Sequence, residues 1–169
     1  MLGLVIERPQ HGYDLEQLIE RRGIRQWTDI GFSSIYYLLT KLQKRGLLHS
    51  PDARAGVKSR RVFHATPEGR TAAARSVLLL IEELRPVQHP VLVGLSNLLL
   101  LSDAEYAEAL RARLTQLNAR LIAITGAQRA QEPLPLPGSE VFSYSLNLLE
   151  AERSWLVARI QEVPDDPED

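Results

Sequence analysis

"SSIYYLLTKLQKRGLL", residues 33–48, is the stretch on which the fold turns. Ile35, Leu38, Leu39 and Leu42 recur at the i, i+3, i+4, i+7 spacing of a helix that buries one stripe. The opposite side is polar and aromatic. Ser34, Tyr37, Lys41 and Lys44 share a face at steps of three and four, with Tyr36, Thr40 and Gln43 along its edge. Ser33 or Ser34 serves as N-cap and Gly46 as the stop, so the spacing predicts a helix over 33–45. Such a helix seats on its own domain with one face and offers tyrosines, hydroxyls and lysines to a partner with the other.

Working outward, "LGLVIE" at 2–7 is a short apolar segment ended by Pro9. "YDLEQLIERR" at 13–22 places Leu15, Leu18 and Ile19 on one helical face, and Gly23 closes it. A loop containing Trp27 and Gly31 leads into the quoted helix. Beyond it the periodicity changes. "GLLHS" and "SRRVFHAT" are short β-prone runs, separated by the basic loop "PDARAGVK". Helix resumes at 67, with Thr66 as N-cap and Pro67 at the first helical position. Three helices, a strand, a basic loop, a strand and a helix make a winged helix-turn-helix with a two-stranded wing. In that fold the third helix enters the DNA major groove and the wing reaches a neighbouring groove or the backbone.

Charge supports an anionic partner. The net charge of −1 divides into 13 Lys/Arg against 7 Asp/Glu in residues 1–75, and 7 against 14 in the remainder. Residues 41–61 hold Lys41, Lys44, Arg45, Arg54, Lys58, Arg60 and Arg61 against Asp52 alone. A solvated face explains any single lysine, but seven cations beside two tyrosines describe a DNA-facing surface. The residues assigned to DNA are Tyr13, Ser33, Ser34, Tyr36, Tyr37, Lys41, Lys44, Lys58, Arg60 and Arg61.

Three motifs resemble the PadR-like transcriptional regulators. The family pattern reads H-G-Y-E-L, then S-I-Y-x-x-L-x-x-L-x-x-x-G-L, then R-K-Y-Y-x-L-T-x-x-G. His11, Gly12, Tyr13 and Leu15 match the first motif. Ser34, Ile35, Tyr36, Leu39, Leu42, Gly46 and Leu47 match the second. Arg60, Thr66 and Gly69 match the third, with Arg61 standing for Lys and Phe63 for Tyr. Val62 and Ala65 depart from it, which makes the wing strand less aromatic than the family's. The resemblance covers about the first 75 residues and implies a dimeric repressor, an inverted-repeat operator, and a small aromatic effector held between the DNA-binding and C-terminal domains.

The acidic half reads as an assembly device. Ser102 and Glu105 have the spacing of a capping box. After them Ala107, Leu110, Leu114, Leu117, Leu121 and Ile124 form a heptad seam. Past "EPLPLPG", the terminal helix beginning at "VFSYSL" is apolar on two faces. Leu146, Leu149, Leu156, Ile160 and Val163 make one, and Tyr144, Leu148, Ala151, Trp155 and Ala158 the other. Two apolar faces need two partners, here its own domain and a second subunit, as in the helical C-terminal dimerisation domain of longer PadR-like regulators. Leu146, Leu149, Trp155, Leu156 and Ile160 are the expected dimer contacts, and Trp27, Tyr144 and Trp155 the expected effector contacts. The organisation is thus mainly α: a DNA-binding domain over 1–75, a helical dimerisation domain over 76–163, and a disordered tail over 164–169.

Other classes find little support. The apolar run "VLVGLSNLLLL" at 91–101 is shorter than the roughly 18 to 20 residues that span a bilayer, and reads as a buried helix. No secretory signal opens the chain and there are no cysteines, which suits a cytoplasmic protein without a thiolate metal site. Phosphate-binding and dinucleotide glycine motifs are missing, and "GLSNL" lacks the second glycine of a nucleophile elbow, so no enzyme and no cofactor are expected. His11, His49, His64 and His89 lack ligand spacing and read as ordinary surface or core residues. The competing class is a winged-helix module that docks proteins instead of DNA. The cations at 41–61 favour DNA.

Overall fold

In the computed structural model the quoted stretch is helix α3 (Phe32–Lys44), and the first core forms along its apolar stripe. Residues 1–163 are described, apart from 27, 29, 52–60 and the side chains of 26, 32 and 33. Ile35 and Leu39 of α3 are fully buried. They pack with Val5 of α1 (Leu2–Glu7), Leu15 and Ile19 of α2 (Gly12–Arg21), Leu48 of β2 (Leu48–His49) and Phe63 of β3 (Val62–Ala65). Each such side chain contributes about 1.5–3 kcal/mol of transfer free energy.

Both ends of α3 have a local cause. The N-cap is Gly31, in extended conformation at φ −75° and ψ 165°, rather than Ser33 or Ser34. Glycine is itself an accepted N-cap. The chain therefore turns helical ahead of the serines, and the Ser34 N–H donates to the Gly31 carbonyl at 3.2 Å. At the other end Gly46 has φ +71°. Its N–H donates to the Gln43 carbonyl at 2.9 Å, and the Leu47 N–H to the Leu42 carbonyl at 3.0 Å. These are the two bonds of a Schellman motif.

The wing sheet has a third strand that the sequence did not announce. β1 (Gln10–His11) pairs antiparallel with β3, Gln10 opposite Phe63 and His11 opposite Val62, giving the order β1-β3-β2. A two-residue strand shows no alternation, so no pattern betrays it. The buried Gln10 side chain donates to the Leu4 carbonyl at 3.0 Å, which satisfies its amide and ties the strand to α1. On the other edge Leu48 and His49 of β2 face Ala65 and His64.

Helix α4 (Pro67–Glu82) starts at the expected cap. The Thr66 hydroxyl accepts from the Gly69 N–H at 3.0 Å and donates to the Gly46 carbonyl at 2.8 Å. One side chain therefore caps α4 and ties it to the end of α3. Gly69 is fixed by proximity: a Cβ there would collide with the Leu47 carbonyl oxygen.

Contacts divide the chain into two compact units, Met1–Pro86 and Val87–Asp169. The second contains α5 (Pro90–Leu95), a 3-10 turn (Leu98–Leu100), α6 (Asp103–Ala130) and α7 (Leu136–Glu162). The Ser102–Glu105 capping box forms as expected. Ala107, Leu110, Leu117 and Leu121 of the heptad seam are buried. Helix α7 begins several residues before "VFSYSL", because Pro137 falls in the first turn, where a missing N–H costs nothing.

The run at 91–101 corrects the expectation of a buried helix. It divides between α5 and the 3-10 turn, and Leu92, Val93, Leu99, Leu100 and Leu101 are exposed. Five consecutive apolar residues of α4, Val77 to Ile81, are also exposed, Ile81 at 77%. Apolarity marked these residues for burial, but among the described residues they stay exposed. Among the described residues no helix is long and apolar enough to cross a membrane.

Candidate nucleic-acid interface

With its stripe buried, α3 turns Tyr36, Tyr37, Thr40, Lys41 and Lys44 outward. Tyr37 is 64% exposed, and the Lys41 ammonium lies 5.8 Å from its ring centroid. This cation–π contact of about 0.5–1 kcal/mol holds the lysine beside the tyrosine rather than free in solvent. Thr40 is differently engaged. Its hydroxyl donates to the Tyr36 carbonyl at 2.8 Å, within the helix's own backbone. Ser34 is half-buried at the first turn.

Helix α2 adds a second set. Tyr13 is exposed near its start, and the Gln17 side-chain amide donates to the Tyr13 hydroxyl at 2.8 Å. Gln17 was not singled out from the sequence, although its i+4 relation to Tyr13 was the available signal. Gly12, between His11 and Tyr13, lies under the Tyr36 ring. A Cβ there would stand 2.7 Å from Tyr36 Cε1. The first motif thus shapes the exposed face of the second: close approach of α2 sets where the Tyr36 ring lies on α3.

Arg61, half-buried just before β3, has an Nε atom buried without a hydrogen-bond partner among the described residues. Lys58, Arg60 and the Ser33 side chain lie outside the described residues, as does Trp27. Apart from Arg61, the described candidates, Tyr13, Ser34, Tyr36, Tyr37, Lys41 and Lys44, all belong to α2 and α3 of the first unit. Their chemistry suits a nucleic acid: aromatic faces and hydroxyls for base edges and sugars, ammonium groups for phosphates. Among the described residues no three His, Cys, Asp or Glu side chains gather as a metal-binding group.

Of the expected dimer contacts, one is spent inside the chain. Leu156 of α7 is completely buried against Leu110 and Leu117 of α6 in the same chain, and Leu149, Ile160 and Val163 pack onto that cluster. Arg113 Nε donates to Glu152 at 2.6 Å and Arg153 Nε to the Asn118 side-chain Oδ1 at 3.0 Å, clasping the two helices. Leu156 therefore has no surface left for a second subunit, whereas Leu149 and Ile160 are only partly buried. Leu146 is half-buried. What stays exposed is the other face, Tyr144, Leu148 and Trp155. Tyr144 and Trp155, the described members of the effector set, line neither the cleft bordered by Pro67, Glu68, Thr71, Ala72 and Arg75 nor that bordered by Arg8, Gln10, Asp14, Gln17 and Arg21.

Residues 1–75 match the Transcriptional regulator PadR-like family. No curated protein matches in sequence. Among solved structures, the chain is similar to Bacillus subtilis PadR in complex with operator DNA, with TM-score 0.79, 18% identity and 96% of each chain covered. The same protein in complex with p-coumaric acid gives TM-score 0.80 and 18% identity, covering 97% of this chain and 96% of that one. The Vibrio cholerae virulence activator AphA gives 0.69 and 16%, covering 95% and 94%. In sequence over residues 1–75, and in fold over nearly its whole length, the chain is thus similar to the PadR-like transcriptional regulators, with a winged helix-turn-helix followed by paired helices.

Proposed function

We propose that this chain is a dimeric transcriptional repressor that reads an inverted-repeat operator with α3 and grips phosphates with the cations of α3 and the wing. One observation carries the reading. Burial of Ile35 and Leu39 leaves two tyrosines and two lysines side by side on the outward face of the helix that this fold presents to the major groove. Tyr37 and Lys41, coupled through the cation–π contact, supply base and sugar contacts. Tyr13, Ser34 and Tyr36 flank them, with Ser33 at the start of the same helix. Lys44, Lys58, Arg60 and Arg61 act on phosphates. That a PadR of this fold was captured with operator DNA supports the assignment.

Dimerisation rests on uncovered apolar surface. Contiguous apolar patches beyond a few hundred Å² are rare on soluble monomers. Val77–Ile81 of α4 and Tyr144, Leu148 and Trp155 of α7 are the residues we assign to a second copy. A two-fold dimer demands a two-fold operator. The p-coumaric acid complex of the same fold supports a planar phenolic effector, with Trp155 and Tyr144 as its contacts here and Trp27 as a further one.

The test begins with selection of binding sites from a random duplex library, followed by shift assays at two salt concentrations. The reading requires an enriched inverted repeat, affinity that falls steeply with salt, and release by a planar phenolic acid. No retained duplex at low salt would leave the protein-docking module as the reading.

A further inference from the structure

We propose that His49 and His64 form a chelating pair for a divalent transition-metal ion that bridges the two strands of the wing. Fifteen residues apart, they show no ligand spacing in the sequence. The antiparallel register makes them direct neighbours: His49 of β2 stands opposite His64 of β3, so both side chains leave the same face of the sheet. Phe63 and Leu48, their neighbours along the strands, are buried, which puts the histidines on the face away from the core. His49 is exposed and His64 half-exposed, so an ion has access to the rings.

The ring geometry suits a shared ion. The centroids lie 5.3 Å apart with the planes tilted by 30°. Two imidazoles on one tetrahedral ion, with metal–nitrogen bonds of about 2.0–2.1 Å, place their centroids about 5 Å apart. The observed spacing therefore admits an ion with little rearrangement of the strands. The pair supplies two ligands, and solvent completes the shell, because no third His, Cys, Asp or Glu joins it among the described residues. Imidazole selects Cu²⁺, Ni²⁺ and Zn²⁺ over Mg²⁺ and Ca²⁺, whose preferred ligands are oxygens. An ion here would tie β2 to β3 at the root of the residues that join them. The surface that reads DNA would then be held by a bond formed outside it.

The experiment uses the full chain without DNA, so its outcome is independent of the operator reading. Ni²⁺ and Zn²⁺ are titrated calorimetrically into wild-type protein, His49→Ala, His64→Ala and, as a control, His89→Ala, and thermal midpoints are recorded with each ion. The proposal requires saturable binding of about one ion per chain and a raised midpoint. It also requires at least tenfold weaker binding in either wing variant, no loss in His89→Ala, and no response to Mg²⁺. His49→Gln and His64→Gln serve where an alanine variant fails to fold. Wild-type protein that binds neither ion at millimolar concentration would overturn it, as would binding that survives loss of both wing histidines.

Discussion

Gly12 and Gly69 both occupy places where a Cβ would meet a neighbour, yet the neighbours differ in what they can do. At Gly69 the obstacle is the Leu47 carbonyl, part of the backbone that links α3 to the wing. At Gly12 the nearest is the edge of the Tyr36 ring, the movable end of a half-exposed side chain, with a methyl of buried Leu39 next at 3.3 Å. Gly69→Ala should therefore destabilise the chain by about 1–3 kcal/mol, the usual cost of overpacking, measured by urea denaturation. Gly12→Ala should lower the denaturation midpoint less than Gly69→Ala and displace Tyr36, so its effect should be read chiefly in operator affinity. Equal losses of stability in the two variants would refute the distinction.

At the scale of the element, α3 has a division of labour that substitutions can separate. Tyr37→Ala and Lys41→Ala lie off the buried stripe and should leave the thermal midpoint within a degree or two. Each should weaken operator binding about tenfold, the scale of a lost base or sugar contact. Neutralising Lys58, Arg60 and Arg61 together should lower affinity for all sequences and flatten the log–log salt dependence by about 0.9 per lost phosphate contact. An unchanged slope in that triple variant would remove the wing from the interface. Helix α6 has a pH signature at its start. Hydrogen bonds to the Glu105 carboxylate from the Ser102 backbone N–H and hydroxyl, both 2.8 Å, hold its pKa below the ordinary carboxylate value. A pKa depressed on folding means that the cap's contribution is complete above the unfolded carboxylate pKa and disappears as pH falls through the lowered folded one. Glu105→Gln should thus narrow the difference in thermal midpoint between neutral and acidic pH, as followed by circular dichroism. These termini were legible in the sequence because a cap is local: Thr66 with Gly69, Ser102 with Glu105, and Gly46 closing α3 each need only a few consecutive residues. β1 was not legible, because two residues carry no period and its partner is about fifty positions away. The run at 91–101 misled for a related reason, since apolarity states that a surface wants cover without stating whose.

For the whole molecule the same ambiguity decides how the two faces of α7 behave. Leu156 is consumed inside the chain, so Leu156→Ala should cost about 2–5 kcal/mol in stability at any protein concentration. Trp155, 39% exposed on the opposite face, should tolerate Trp155→Ala in the fold while the weight-average mass in sedimentation falls toward that of one chain. A variant that unfolds without passing through a stable monomer would place Trp155 in the core instead. The uncovered leucines of α4 and of residues 92–101 carry a further consequence, which concerns abundance. On the proposed dimeric reading, the chain closes its apolar surface only with its twin and folds by a second-order process, so dilution itself acts as a denaturant and the melting temperature climbs with concentration. Under the proposed repressor reading, such a chain would be a poor occupant of its operator when scarce. Doubling its expression then more than doubles the folded dimer, which makes the dose response of the regulated promoter steeper than a single binding step allows.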